Sequence, residues 1–325
     1  MKQNDTNLEL HEAVDGFLFS LKAEGKADRT FQYYKDLLKC FIQFARDNGW
    51  RDLKAIDTNH LRRFLSWVGS RTFEHIAGNG SHLVRKAKSS TAWPYYKALR
   101  RFFNWLVEEK LIEISPLSFI HFKAPSTAPI EPFSPDEVKR LVAVCDLDIK
   151  SGARYTGFRN RAMVLLLLDS ALRRKELVEI RVSDVDLDNR QVRVLGKGNK
   201  PAIVPFSLGV SKAIWRYLVE RKPRAKSDRL FLTEEGTTFS INGINSWFFR
   251  LKKRAGINSP GGVHRLRHTS ALQYLREAKD SFLLQLFLRH ESLEMSRRYT
   301  HGLKQEEAVI AHRNGASPVK SLGLG

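Results

Sequence analysis

A proline-rich stretch, HFKAPSTAPIEPF at residues 121–133, divides the chain into two parts. Proline fixes φ and lacks an amide donor, so the stretch favours an extended linker over a helix or a strand. SPDE at residues 134–137 follows directly, with a serine N-cap, proline at the first helical position and glutamate three residues after the serine, which is typical of a helix start. The 325 residues therefore predict two domains, each long enough to bury a core.

The first part, residues 1–120, is predicted to be a bundle of about four helices. Apolar residues recur there at spacings of three and four, which indicates amphipathic helices. The segment RTFEHIAGNGSHLVRKAKSS at residues 71–90 is interpreted as a basic, glycine-containing connection. The predicted helices are two within residues 11–48, broken near KAEGKADRT, a third at 57–68 with an Asp/Thr cap, and a fourth at 89–110.

The second part, residues 134–311, mixes helices with a few strands. FRNRAMVLLLLDSALRRKELVEI at residues 158–180 has helical periodicity, and a turn is expected at Ser170 and Ala171. Val192 and Val194 alternate before GKGNK at residues 196–200, and Ile203 and Pro205 alternate after it, which predicts two short strands joined by a turn. The fold class is thus mainly α with a small antiparallel β-sheet, followed by a C-terminal tail at 312–325.

Charge is the strongest signal in the composition. The formal net charge is +20, and basic residues outnumber acidic ones on both sides of residue 130. Basic surfaces bind polyanions by releasing counterions, so a nucleic acid is the favoured partner. A merely soluble basic protein and a membrane-surface binder are the alternatives, but the second would concentrate its charge on one amphipathic helix.

No apolar run reaches the 18 residues of a membrane span, so no membrane partner is expected. The N-terminus MKQNDTNLEL lacks the basic start and apolar stretch of a signal peptide, which predicts a cytoplasmic protein. Cys40 and Cys145 are far apart and are interpreted as reduced core thiols. No zinc pattern, HExxH or Walker motif is present, so neither a metal nor a cofactor is expected.

Four short segments of the second part carry groups suited to phosphate chemistry. Cleaving a DNA strand without metal requires an in-line nucleophile, cations for the phosphorane, a base and an acid. Arginine binds two phosphate oxygens at once, whereas a tyrosine needs a base as it attacks. Tyr299 is either such a nucleophile or an ordinary half-buried anchor. The segments are SALRRKEL with Arg173, LGKGNK with Lys197, HRLRH with His264 and Arg267, and LRHESLEMSRRYTH with His290 and Tyr299.

These motifs, in this order, resemble those of the tyrosine recombinases, also called phage integrases. The resemblance extends to SSTAWPYYKALRRFFNWLV in the first part and covers essentially the whole chain. It implies an N-terminal SAM-like helical bundle and an α+β catalytic domain. The site residues it implies are Arg173 and Arg267 as phosphate clamps, Glu176 as supporting acid, Lys197 as proton donor, His264 as proton acceptor, His268 as a residue that fixes helix geometry, His290, and Tyr299 as nucleophile.

One position departs from the family pattern. The family usually has glycine before the last histidine, where this chain has Arg289. A larger, charged side chain there, directly before His290, is expected either to narrow the turn or to add a phosphate contact. Glu176 has an alternative interpretation as an exposed helix acid.

The resemblance also implies what the protein binds. The partners would be double-stranded DNA with inverted-repeat recombination sites and other copies of the chain, as a tetramer at the nucleoid. The alternative functions are a type IB topoisomerase and a catalytically inactive DNA-binding regulator. The resemblance fits integration, transposition, plasmid resolution and chromosome resolution equally, and it names no accessory protein. Candidate DNA contacts in the first part, each alternatively part of a solvated basic loop, are Arg29, Thr30, Arg85, Lys86, Lys88, Ser90 and Thr91.

Overall fold

The protein divides into two compact units, Met1–Ala128 and Pro129–Gly325. The division lies within the predicted linker, while the finer boundaries, including a separate tail from residue 312, stay predictions. The structure is a computed structural model and describes residues 8–76, 82–87, 90–125, 131–196 and 200–290.

Four helices form most of the first unit, and all four were predicted. Asp57 caps the third helix, because its carboxylate accepts hydrogen bonds from the backbone N–H groups of Asn59 and His60. A short 3₁₀ helix, Pro116–Phe119, follows the fourth. The helices are α1 (Leu10–Ala23), α2 (Asp28–Asp47), α3 (Thr58–Ser70) and α4 (Ala92–Glu108).

The segment between α3 and α4 is a β-hairpin, so its interpretation as a plain connection was wrong. Strand β1 (Thr72–Ile76) pairs antiparallel with β2 (His82–Lys86), and Thr72 lies opposite Lys86. The physical reason is visible in the sequence: β-forming residues flank the dipeptide Asn-Gly at residues 79 and 80, a combination that favours hairpins.

Aromatic side chains fill the core of the first unit. Phe17 on α1 contacts Phe102 on α4 edge to face, with ring centroids 5.6 Å apart. Phe41 on α2 packs in the same manner on Phe64 of α3, at 4.9 Å. All four rings are completely buried. Phe17 also contacts Tyr34 on α2 edge to face at 5.6 Å, so these ring contacts join all four helices.

The second unit contains seven α-helices, two 3₁₀ helices (Val182–Asp184 and Lys222–Arg224) and three strands within its described residues. Ser134 and Glu137 form the predicted capping box, since each accepts the other's backbone N–H, at 3.1 and 2.9 Å. The elements are α5 (Pro135–Lys150), α6 (Arg154–Ser170), α7 (Arg174–Glu179), β3 (Val185–Asp186), β4 (Gln191–Leu195), β5 (Pro201–Pro205), α8 (Leu208–Arg221), α9 (Ile241–Arg254), α10 (His264–Ala278) and α11 (Ser281–Leu288).

The strands form a small antiparallel sheet in the order β3-β4-β5. Val192 and Val194 on β4 are buried, as their alternation predicted. On β5 the prediction was wrong, because Ile203 and Pro205 are exposed and the buried residue is Val204, which lies opposite Val192. Strand β3 was not predicted because its two residues are too few to establish a period. The fold class, mainly α with a small antiparallel sheet, is confirmed.

Helix α6 is the central element of the second unit. Met163, Leu166 and Leu167 are completely buried, because α5, α8 and α10 all pack against this helix. The apolar run of α6 is thus core, and the end of α6 carries the candidate site.

The described residues also bear on two predictions from composition. Cys145 is buried, and burial raises the pKa of its thiol to about 12, while Cys40 is half-buried. Both cysteines are free thiols. None of the helices described here is long and apolar enough to cross a membrane.

Candidate active site

A sharp turn after α6 places Arg173. Ser170 ends the helix, and Ala171 adopts a left-handed conformation, with φ at 48°, which confirms the expected turn. Leu172 and Ala171 are buried, so they fix the turn against the core. Arg173 then begins α7 in an extended conformation with about a third of its side chain exposed. Its guanidinium group is therefore anchored at its base and accessible to a ligand.

Glu176 supports Arg173 through two hydrogen bonds. One carboxylate oxygen accepts from Nη1 of Arg173 at 2.8 Å, and the other accepts from its backbone N–H at 2.7 Å. Only 3% of the Glu176 side chain is exposed, so the interpretation as an exposed helix acid was wrong. A buried, charge-assisted pair of this kind holds the guanidinium in one orientation.

Arg289 adds a second cation to the same carboxylate. Its Nη2 lies 2.9 Å from Oε2 of Glu176, and its carbonyl oxygen accepts from Nη2 of Arg173 at 3.2 Å. Arg289 caps α11 in the left-handed region, with φ at 53°, a conformation that costs a non-glycine residue about 1–2 kcal/mol. The structure thus gives a third outcome for this position, an ion pair with Glu176.

The pKa values follow from these contacts. Burial would raise the pKa of Glu176, but the charge of Arg289 and the hydrogen bonds from Arg173 outweigh it and hold the pKa below its ordinary value. Burial lowers the pKa of Arg289, and Glu176 opposes that shift. Glu176 is accordingly an ionised carboxylate shared by two guanidinium groups at neutral pH.

Arg267 joins the ends of two helices. It lies on α10 with 2% of its surface exposed. Its Nη1 donates to the carbonyl oxygen of Ala171, after α6, and its Nη2 donates to that of Leu288, at the end of α11, at 2.6 Å. A buried guanidinium requires such partners, because its desolvation is costly without them. Arg267 therefore fixes the backbone after α6, two residues before Arg173, and the backbone at the end of α11.

The three histidines occupy different environments. His264 is the first residue of α10 and is exposed, whereas His268 lies one turn later and is half-buried. His290 is buried, and its ring Nε2 lies 3.3 Å from Nη2 of Arg267. Gln285 holds the backbone of His290 at both its N–H and its carbonyl group. The ring of His290 is thus directed at the arginine cluster by α11.

Two predicted site residues lie outside the described residues. Lys197 is between β4 and β5, and Gly196 donates to the carbonyl oxygen of Lys200 at 2.8 Å across the base of that hairpin. Tyr299 follows His290 by nine residues. Strands β4 and β5 flank Lys197, and α11 is the last described helix before Tyr299. The side-chain positions of Lys197 and Tyr299 stay predictions.

The cluster is built to receive an anion. Arg173, Arg267 and Arg289 carry three positive charges, and Glu176 carries one negative charge. Two arginines on separate elements can hold separate oxygens of one phosphate. Within the ranges that the structure describes, no group of acidic, histidine or cysteine side chains is arranged to hold a metal ion.

Comparison with protein families decides the assignment. Residues 132–306 match the phage integrase family, and residues 14–110 match the N-terminal SAM-like domain of phage integrases. The chain belongs to the phage integrase family. It is a tyrosine-type site-specific DNA recombinase with the SAM-like first domain that the resemblance implied.

Curated and solved relatives agree with this membership. The chain is 35% identical over 302 residues to a protein named tyrosine recombinase XerC 2 from Ralstonia nicotianae, covering 91% of this chain and 83% of the relative. The XerH site-specific recombinase bound to palindromic difH substrate has a TM-score of 0.65 at 23% identity, covering 90% and 81%. A lambda integrase tetramer bound to a Holliday junction has a TM-score of 0.66 at 18% identity, covering 91% and 78%. These two structures share the fold of this family member.

The candidate DNA contacts of the first domain of this integrase are dispersed. Arg29 is exposed on the first turn of α2, and Thr30 beside it is half-buried. Ser90 is exposed, and Thr91 is the N-cap of α4 without a side-chain cap bond. Arg85 and Lys86 lie on β2 but their side chains are outside the described set, as is Lys88. Their role in DNA binding stays a prediction.

Sequence reasoning missed two features of the arginine cluster. The carbonyl groups of Ala171 and Leu288 anchor Arg267, and backbone acceptors leave no mark in a sequence. The pairing of Arg289 with Glu176 joins positions 113 residues apart, so no local sequence pattern indicates it.

Proposed function

We propose that this recombinase cleaves DNA at Tyr299 and rejoins it to a partner duplex through a 3′-phosphotyrosyl link. The single observation that supports the proposal is the hydrogen-bonded cluster in which Glu176 fixes a partly exposed Arg173 beside a buried Arg267. Such an arrangement is preorganised for the extra negative charge of a phosphorane.

In the proposed step one bond to phosphorus forms as another breaks, and a side chain accepts or donates each proton. The phenolic oxygen of Tyr299 forms a bond to phosphorus as the bond from phosphorus to the 5′ oxygen breaks. His264 accepts the phenolic proton, and its exposed place at the start of α10 leaves it open to DNA. Lys197, at the tip between β4 and β5, donates a proton to the 5′ oxygen. The phosphoester is conserved, so neither ATP nor a metal ion is required.

The roles of the remaining residues follow from their positions. Arg173 and Arg267 clamp the non-bridging oxygens, and Glu176 orients Arg173. His290 contacts the same phosphate from beside Arg267. His268 fixes the first turn of α10. These assignments rest on the family pattern together with the observed contacts.

The partners are proposed to be two duplexes with inverted-repeat sites and three further copies of the chain. The solved relatives include a lambda integrase tetramer on a Holliday junction, which supports a tetramer here. A net charge of +20 supports strong binding to the phosphate backbone. We expect the protein to act at the nucleoid, in the cytoplasm. The comparisons favour neither a topoisomerase nor an inactive regulator.

The test is covalent capture of the protein on DNA. Duplexes that bind the protein are first selected from a randomised pool, and nicks are then placed at successive positions so that cleavage releases a short 5′-hydroxyl fragment. The wild type and Tyr33→Phe, which alters a partly exposed tyrosine on α2, should form a complex that survives denaturation in EDTA, whereas Tyr299→Phe should form none.

Two outcomes would contradict the proposal. A covalent band that persists in Tyr299→Phe would show that another residue is the nucleophile. Retention in a native gel without a covalent band from any variant would favour a DNA-binding regulator.

A further inference from the structure

Arg289 has a backbone conformation that disfavours any side chain. It caps α11 in the left-handed region, where glycine has no steric cost. A non-glycine residue in this conformation persists where a specific contact offsets the cost.

That contact is with the carboxylate that supports Arg173. The Arg289 side chain is 15% exposed, and its Nη2 lies 2.9 Å from Oε2 of Glu176. Its Nη1 donates to the carbonyl oxygen of Phe287 at 3.2 Å. Its buried Nε has no hydrogen-bond partner within the part of the chain that the structure describes. The guanidinium is thus committed to Glu176 and is not a solvated surface group.

Glu176 consequently lies between two guanidinium groups. Arg173 takes Oε1 through its side chain, and Arg289 takes Oε2 through its own. The backbone carbonyl of Arg289 also accepts from Arg173. A glycine at position 289 would keep that carbonyl contact and lose the ion pair. The effect of the Arg289 ion pair can therefore be tested by substitution without losing the backbone contact to Arg173.

We infer that Arg289 is a positioning residue for strand cleavage, which acts on Arg173 through Glu176. With Arg173 alone, Glu176 would form a neutral pair and cancel most of the arginine charge seen by a phosphate. Since Arg289 shares the carboxylate, one positive charge remains uncompensated in this three-residue group, and Arg173 stays oriented while retaining its attraction for the phosphorane. The inference rests on the proposed function and adds a residue that the family pattern does not contain.

The test compares Arg289→Gly, Arg289→Lys and Lys279→Gly. Lys279 is a matched control, because it also caps a helix, α10, in the left-handed region with φ at 54°, yet it is exposed. Single-turnover cleavage of the selected nicked duplex is measured at saturating protein, beside the dissociation constant as a function of salt concentration and the thermal midpoint of each variant.

The expected result is a loss of rate without a loss of affinity. Arg289→Gly should cleave about tenfold more slowly, a factor that corresponds to about 1.4 kcal/mol, while its DNA affinity and salt dependence match the wild type. Arg289→Lys should recover part of the rate, and Lys279→Gly should cleave at the wild-type rate. In a Glu176→Gln background, Arg289→Gly should have a smaller effect, because the shared carboxylate is absent.

The alternatives give different results. Arg289→Gly at the wild-type rate would overturn the inference, and so would an equal loss in all three variants. A weaker affinity with a salt slope reduced by about one would identify Arg289 as a phosphate contact instead. If the wild-type protein forms no covalent complex with DNA, both the proposed function and the inference are contradicted. The preceding outcomes contradict the inference alone.

Discussion

Nη2 of Arg267 lies 3.3 Å from Nε2 of His290 in the interior of the second unit, although 23 positions separate the two residues. The contact joins α10 to the residue that follows α11. The same guanidinium donates to the carbonyl oxygens of Ala171 and Leu288, so it connects three chain segments. Arg267 is consequently both a structural tie and a candidate phosphate clamp.

Replacing Arg267 with lysine should separate the effect of its positive charge from that of its two hydrogen bonds to backbone carbonyl groups. Arg267→Lys keeps the charge, but one ammonium group cannot reach both carbonyl oxygens, so one buried acceptor loses its donor. We expect a loss of about 2–3 kcal/mol in the free energy of unfolding of the second unit, with little covalent complex formed. Calorimetry measures the first effect, and Arg276→Lys, an exposed position on α10, is the control. An Arg267→Lys variant with the melting midpoint of the wild type would contradict the structural role of Arg267.

Glu176 should make stability depend on pH in a defined direction. Its pKa is lower in the folded protein than the ordinary value of 4.5, so its contribution is fully present above about pH 4.5 and is lost as the pH falls through the folded value. Glu176→Gln should melt earlier than the wild type at pH 7, and the gap between the two melting midpoints should narrow below pH 4.5. A gap that is constant from pH 7 to pH 3.5 would refute the ionised, shared carboxylate.

The close crossing of α5 and α6 should tolerate no side chain at Gly157. A methyl group there would lie 2.7 Å from Cγ1 of Ile149 and 2.8 Å from its backbone nitrogen. Gly157→Ala should therefore cost about 1–3 kcal/mol in the free energy of unfolding, through a shift of the helix that delivers Arg173. Gly69→Ala on α3 is the matched control, since nothing lies within 4 Å, and it should gain up to about 0.5 kcal/mol. Similar melting midpoints for both variants would contradict the packing.

The helices could be predicted from the sequence because their apolar residues follow a strong period over many residues. The four helices of the first unit and the capping box at Ser134 are local patterns of this kind. The β1–β2 hairpin was missed because basic and glycine residues at 71–90 were taken as loop signals, although the alternation of β-forming residues around Asn-Gly indicated strands. Strand β3 could not be found, because its two residues are defined by pairing with β4.

The site was predictable to the extent that its chemistry resides in side-chain type and order. Arg173, Glu176, Arg267 and His290 were named from their motifs, and the structure joins them by hydrogen bonds. The anchoring of Arg267 depends on backbone carbonyls at two left-handed turns, which are properties of the tertiary fold. The Arg289 ion pair connects positions 113 residues apart, and no local pattern records such a distance.

The most direct test of the central claim is to locate the covalent bond. The DNA complex formed on a nicked duplex is digested with nuclease and trypsin, and the modified peptide is sequenced by mass spectrometry. Cleavage through a 3′-phosphotyrosyl link predicts a nucleotide attached through its 3′ phosphate to Tyr299, in the tryptic peptide YTHGLK at residues 299–304. Attachment at another residue, or through a 5′ phosphate, would contradict it.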